Sequence, residues 1–219
     1  MKFYKYSMNM VLLNVLCVVL FIPMYILICY MGINSYIDYK FLIICFFWMI
    51  LHELLHGIGF SFSKGINHKN IVYGANLEKG IFYCMCKQRI SKKNIMISLL
   101  FPFTFIGIFT LIIGLFFDFP ILINLSFFNI AGCIGDIVMF VSFLRLPYFE
   151  YIDLDDCTGF VLVSSNDLSK YKLLGLKLVD CGDYTDSMIA NDYRKLTITK
   201  LSYFIFMFLI LLFFIEMII

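Results

Sequence analysis

The run FLIICFFWMILHELLHGIGFSF, residues 41–62, is apolar enough to cross a membrane, yet it contains two histidines and a glutamate. A hydrocarbon core of about 30 Å needs about 20 apolar residues in a helix. An ionisable side chain inside that core costs about 2.5–3.5 kcal/mol even on the lenient insertion scale, so it needs a partner or a function. His52, Glu53 and His56 therefore mark both the fold class and a candidate site.

The composition around this run is that of a membrane protein. Of the 219 residues, 62% are hydrophobic and 15% are charged, which is outside the range of soluble globular domains. The sequence predicts an all-α polytopic membrane protein with about five transmembrane helices, a cytoplasmic β-hairpin and a small cytoplasmic extension. The predicted parts are a core of residues 1–146 with spans at about 10–30, 41–62, 95–117 and 121–144, then a cytoplasmic segment 147–197 and a fifth span 198–219.

The positions of lysine and arginine predict how the chain is oriented. Short cytoplasmic loops hold most of these residues in membrane proteins. With the N-terminus inside, only Lys40 falls in an outer loop, so the N-terminus is expected to be cytoplasmic and the C-terminus outside. No basic cluster with interleaved aromatic residues suggests nucleic acid, so the lipid bilayer is the expected environment and nucleic acid is not an expected partner.

Two segments outside the predicted spans contain β-prone runs. NIVYGANLEKGIFYCMC, residues 70–86, has two such runs around a turn and predicts a hairpin. Its Cys84 and Cys86 share one strand face, but no second pair has zinc-knuckle spacing, so they are interpreted as ordinary strand residues. The second segment continues with the runs GFVLVS, residues 159–164, and KLLGLKLV, residues 172–179, which predict a small αβ or β extension. Its acidic opening EYIDLDD, residues 150–156, lacks the spacing of a calcium-binding loop and is interpreted as a solvated acidic surface.

The histidines have the spacing of a zinc site. His52 and His56 are four residues apart, so they project from one helix face about 6 Å from each other and can bind one tetrahedral zinc ion. Glu53 follows the first histidine and can take a proton from water, as in the H-E-x-x-H arrangement of metallopeptidases. The alternative is a pair of helix-interior histidines bonded to neighbouring spans. This alternative is less favoured, because two of the chain's three histidines flank one glutamate.

A catalytic zinc normally has three protein ligands, so one more is expected. Asp136, in the fourth predicted span, lies at the depth of the two histidines, roughly 9–15 Å inside the membrane boundary. Asn129, seven residues earlier, shares its helix face and can bind substrate or water, or equally another helix. Cys133 as a fourth ligand would close the open position. The remaining downstream candidates lie in loops or at the outer end of a span: His68, Glu78 and Asp118.

HELLH in one predicted span and N-x-x-x-x-x-G-D, residues 129–136, in a later one resemble the site-2 protease class of intramembrane zinc metalloproteases. The likeness is closer to the putative zincin peptidase family of bacterial membrane proteins. The resemblance implies zinc held by His52, His56 and Asp136, with Glu53 as general base. It also implies a bacterial cell-membrane peptidase that cuts membrane-anchored proteins or peptides near the cytoplasmic boundary.

The same resemblance implies a role for the predicted hairpin, about residues 71–86, which would present the substrate as an added strand. The competing hypothesis is a non-catalytic zinc-binding membrane protein that serves as a partner or immunity component. Both hypotheses use the same three metal ligands, and they differ on whether Glu53 moves a proton.

Overall fold

The computed structural model describes residues 1–33, 39–63, 65–76, 81–154 and 159–182, and these form a mixed α/β protein. The helices are α1 (Met10–Tyr30), α2 (Tyr39–Ser61), α3 (Lys92–Pro102), α4 (Thr110–Phe116), α5 (Pro120–Gly132) and α6 (Ile134–Arg145), with a π-helical segment at Phe103–Phe109. The strands are β1 (Lys2–Met8), β2 (Ile71–Asn76), β3 (Ile81–Cys86), β4 (Ile90–Ser91), β5 (Glu150–Asp153), β6 (Gly159–Ser164) and β7 (Leu176–Gly182). The predicted all-α class is wrong, because segments from both ends of the chain pair into a sheet.

The described helices include fewer candidate membrane spans than the five predicted. Three are long and apolar enough: Met10–Tyr30, Ile43–Ser61, and Lys92–Phe116, which joins α3, the π-helical segment and α4. The fourth predicted span is divided into α5 and α6, which meet at 48°. The fifth, residues 198–219, lies outside the described residues, and the orientation of the termini stays a prediction.

The larger sheet has the strand order β4-β5-β6-β1-β7, with β1 between β6 and β7. Tyr4 and Tyr6 lie two residues apart on β1, and both rings are buried. Their hydroxyls donate to backbone carbonyls of Asn166 and Leu168. The residues before the first span therefore form a central strand, because every second side chain has an apolar ring to bury.

An aromatic cluster joins this sheet to the helices. The Phe143 ring, near the end of α6, lies 5.0 Å from Phe149, 6.0 Å from Tyr151 and 5.7 Å from Phe160, measured between ring centroids. All four side chains are buried in the main core. The sheet is thereby fixed against the helices that carry the candidate site.

The predicted hairpin is confirmed, with β2 antiparallel to β3 from the Ile71–Cys86 pair to the Asn76–Ile81 pair. Its turn, residues 77–80, lies outside the described residues. The Lys87 N–H donates to the Asn70 carbonyl, so these two residues form a hydrogen-bonded pair. From this pair toward the turn, non-hydrogen-bonded and hydrogen-bonded residue pairs alternate along the hairpin. On β3 the backbone groups of Phe82, Cys84 and Cys86 consequently point away from β2, toward the candidate site.

The acidic segment EYIDLDD is not simply a solvated surface. Tyr151, Ile152 and Leu154 are buried, and residues 150–153 form β5 between β4 and β6. Asp153 faces the hairpin and bonds to it. The interpretation as a solvated surface is therefore wrong here, because the side chains of Tyr151, Ile152 and Leu154 lie in the core and Asp153 is hydrogen-bonded to the hairpin.

Candidate metal centre

The two histidines and Asp136 converge on one point. The Nε2 atoms of His52 and His56 are 3.1 Å apart. Asp136 places Oδ2 3.3 Å from His52 Nε2 and Oδ1 3.5 Å from His56 Nε2. One ligand atom from each residue lies within 4.8 Å of the other two. The structure thus brings together the three ligands that the sequence suggests.

The other candidate ligands lie elsewhere. His68 begins a short 3-10 turn before β2, and Asp118 is in the exposed turn between α4 and α5. Glu78 falls outside the described residues. Within the described part of the chain, the group of potential ligands found is His52, His56 and Asp136.

A break between two helices positions Asp136. α5 ends at Gly132, α6 begins at Ile134, and the axis bends by 48° between them. Asp136 lies in the first turn of α6, where unpaired backbone N–H groups and the positive end of the helix dipole favour a carboxylate. The bend therefore carries the carboxylate toward α2 and also suits its charge.

Asn129 orients His52. Its Nδ2 donates to the Pro102 carbonyl at 3.1 Å, which leaves Oδ1 as the atom 2.9 Å from His52 Nδ1. A carboxamide oxygen can only accept, so His52 Nδ1 carries the hydrogen. Asn129, predicted to bind substrate or water or to contact another helix, hydrogen-bonds directly to a candidate ligand here.

Ser98 orients His56 through its backbone. His56 Nδ1 donates to the Ser98 carbonyl at 3.0 Å. In a regular helix that carbonyl would accept from residue 102, but Pro102 has no N–H. The approach of the two helices is close, because a Cβ on Gly59 would lie 2.6 Å from Ser98 Cα. Sequence reasoning missed Ser98, although the proline four residues later was a usable signal.

These bonds determine which nitrogens are available to a metal. Both Nδ1 atoms carry hydrogens, so each neutral imidazole presents a bare Nε2 lone pair to the convergence point. Two lone pairs and a carboxylate facing each other repel unless a cation or proton lies between them. Histidine ligands of zinc commonly donate their other N–H to a carbonyl in this way, so the residues fit the metal.

Glu53 lies beside the convergence point. It lines a cavity of about 240 Å³ together with His52, His56 and Asp136. The backbone N–H of Cys84, on β3, donates to its carboxylate. The glutamate is therefore held between the metal centre and the outward edge of the hairpin.

Asp153 lines the same cavity from the sheet side. Its Oδ2 accepts from the Cys86 N–H at 2.9 Å, and its Oδ1 accepts from the Tyr151 hydroxyl at 2.6 Å. Burial raises the pKa of Asp153 to about 6, although both bonds favour the ionised form. Sequence reasoning did not single out this residue.

The nearby thiols are poorly suited to bind a metal. Burial raises the pKa of the Cys84 thiol, and it raises that of Cys86 to about 11, so both stay protonated at neutral pH. Cys133 Sγ lies 3.9 Å from His52 Nδ1, the nitrogen that points away from the convergence point. None of the three belongs to the group of converging ligand atoms.

Residues 45–149 match the family described as putative zincin peptidase, which confirms the resemblance to that family. The matched segment contains both histidines, Glu53, Asn129 and Asp136, and it ends before Asp153. The family implies a zinc peptidase and zinc as the cofactor. No curated protein and no solved structure matches the chain.

Proposed function

We propose that this zincin-type chain is an intramembrane peptidase, similar in mechanism to site-2 proteases, that hydrolyses peptide bonds of membrane-anchored proteins or peptides near the cytoplasmic boundary. The observation that carries the proposal is the convergence of two Nε2 lone pairs and the Asp136 carboxylate beside Glu53, within candidate membrane helices. His52, His56 and Asp136 would hold the zinc.

Zinc bound there would supply Lewis acidity, which polarises a carbonyl and makes water easier to deprotonate. Glu53 accepts the proton of the attacking water while the water oxygen bonds to the peptide carbonyl carbon. When the carbon–nitrogen bond breaks, Glu53 returns the proton to the leaving amine nitrogen. Asn129 and the Ser98 carbonyl keep both imidazoles in the tautomer with bare Nε2 during these steps.

The hairpin edge is suited to present the substrate. An extended substrate segment would pair with the outward backbone groups of Phe82, Cys84 and Cys86 on β3. Glu53 and Asp153 now accept from two of those N–H groups, the positions that substrate carbonyls would take. Substrate pairing would therefore release the Glu53 carboxylate from Cys84 and free it to accept a proton.

The test compares Glu53→Gln with Glu150→Gln, since Glu150 lies on β5 and its carboxylate makes a surface ion pair with Arg89. Membranes of cells that express each protein are analysed by mass spectrometry for new N-termini inside or beside transmembrane segments. Removal of a general base should lower cleavage about 100-fold to 10,000-fold. We expect new termini with wild type and Glu150→Gln only, while purified Glu53→Gln retains zinc.

If all three proteins produce identical termini, the peptidase proposal fails. Zinc bound normally by wild type and Glu53→Gln, without cleavage by either, would favour a non-catalytic zinc-binding protein that acts through a partner. The zinc measurement therefore separates loss of the metal centre from loss of catalysis.

A further inference from the structure

A second cavity adjoins the metal centre toward the N-terminal end of α2. It measures about 240 Å³. Its walls come from α2, α5 and β3. Besides His52 and Glu53, the cavity is lined by Trp48, Met49, Phe82, Phe128, Asn129 and Gly132. An apolar cavity of about 150 Å³ is enough to bind benzene. This one has room for a branched or aromatic side chain directly beside the candidate catalytic residues.

Trp48 forms the wall of the cavity that lies next to His52. Trp48 precedes His52 by one helical turn, so both side chains lie on one face of α2. Its Nε1 atom is buried, so the tryptophan offers the cavity an apolar aromatic surface and no accessible hydrogen-bond donor.

Gly132 leaves the cavity open. A Cβ at this position would meet no atom within 4 Å, although Gly132 lies in the wall of both cavities. On the opposite wall, the ring of Phe82 is held by an edge-to-face contact with Phe46, at 5.4 Å between centroids. The empty space is therefore bounded by fixed aromatic groups and is not filled by any described side chain.

We propose that this cavity is the subsite for the substrate residue next to the cleaved bond, and that it selects a large apolar side chain such as leucine or phenylalanine. The Glu53 carboxylate at the inner end disfavours acidic side chains. This inference rests on the peptidase function proposed above.

Trp48 is the single tryptophan of the chain, so its fluorescence reports on the cavity directly. The zinc-loaded full-length protein in detergent is titrated with glycine hydroxamate and with leucine hydroxamate, which share a metal-chelating group and differ in the side chain. Leucine hydroxamate should bind about tenfold more tightly, because it buries an isobutyl group. It alone should change the Trp48 emission.

Equal binding of the two probes with unchanged Trp48 emission would overturn the subsite and leave the metal centre intact. If neither probe binds, the metal centre itself is wrong and the subsite falls with it. Neither outcome requires a known substrate or measurable cleavage.

Two variants sharpen the result. Gly132→Leu fills the cavity, so the preference for leucine hydroxamate should fall to within about twofold, while zinc content and glycine hydroxamate affinity stay as in wild type. Gly132→Ala, the matched control, should keep most of the preference. A tenfold preference that survives in zinc-loaded Gly132→Leu would overturn the proposal.

Discussion

The helical metal centre and the sheet side of the same cavity hold their ionisable groups in different ways. In the metal centre, His52, His56 and Asp136 point their free ligand atoms at one another, and each imidazole is fixed from behind by a helix. On the sheet side, Asp153 points its oxygens outward to a hairpin N–H and a tyrosine hydroxyl. The first arrangement is stabilised when a cation or a proton lies between its groups, whereas the hydrogen bonds of the second are already made.

The two arrangements imply different roles for the two regions. Converging groups that repel one another when no cation is bound favour cation binding, so substitutions in the metal centre should change metal affinity. A carboxyl group that links a hairpin to a sheet contributes to the fold, so changes there should appear in stability and its pH dependence. Three predictions separate the two regions.

The largest effect is expected from Asp136→Asn. The substitution removes the negative charge at the convergence point and leaves a weak amide ligand, so zinc affinity should fall by more than about 100-fold, beyond the usual effect of losing a ligand's hydrogen-bond partner. Competition with a chelator of known affinity measures it. Asp118→Asn, in the exposed turn before α5, is the matched control and should change affinity less than about twofold. Equal losses of zinc affinity in the two variants would show that the metal binds elsewhere.

A smaller effect is expected from Asn129→Ala, which leaves His52 Nδ1 without its acceptor. Zinc affinity should fall about 10-fold to 100-fold, the range for such second partners of ligand histidines. Ser98→Ala is the comparison, because it removes a hydroxyl but keeps the carbonyl that holds His56. It should cost less than about threefold. A larger loss for Ser98→Ala than for Asn129→Ala would show that the described orientation of the histidines is wrong.

The convergence of His52, His56 and Asp136 was largely predictable because its signals are polar residues in apolar surroundings. HELLH and Asp136 stand out within predicted spans, and shared depth was enough to connect them. The backbone partner of His56 was not predictable in the same way, since a carbonyl has no residue type to recognise. Only Pro102, which removes a helix N–H, indicated that a free carbonyl would lie near Ser98.

The sheet was predicted only in part. The β-prone runs at 159–164 and 172–179 indicated β6 and β7, but their pairing with β1 was not recognised because these strands are distant in sequence and short. β1 pairs with β6 and β7 across most of the chain length, and such pairing leaves no local pattern beyond alternation. Lys2 and Lys5 had been interpreted only as charges that set orientation, although Tyr4 and Tyr6 between and after them have the strand period. Likewise, counting acidic residues at 150–156 concealed that the residues between them are apolar.

The smallest effect is expected from Asp153, where the sheet meets the hairpin. Its folded-state pKa of about 6 lies above the unfolded value of about 3.9, so the folded protein binds more protons between about pH 4 and pH 6. Stability from this group is therefore present at low pH and is lost as the pH rises through that range. Asp153→Asn stays neutral and should not show the loss. From pH 4 to pH 7, the melting temperature of wild type relative to Asp153→Asn should fall by about 5 °C.

The measurement is made with a chelator present, so that metal binding does not contribute and histidine titration cancels between the two proteins. Glu150→Gln on the same strand should leave the wild-type pH profile unchanged. A constant difference between wild type and Asp153→Asn across this range would mean that the carboxyl group is not buried against the hairpin, and the contrast between the two regions would disappear.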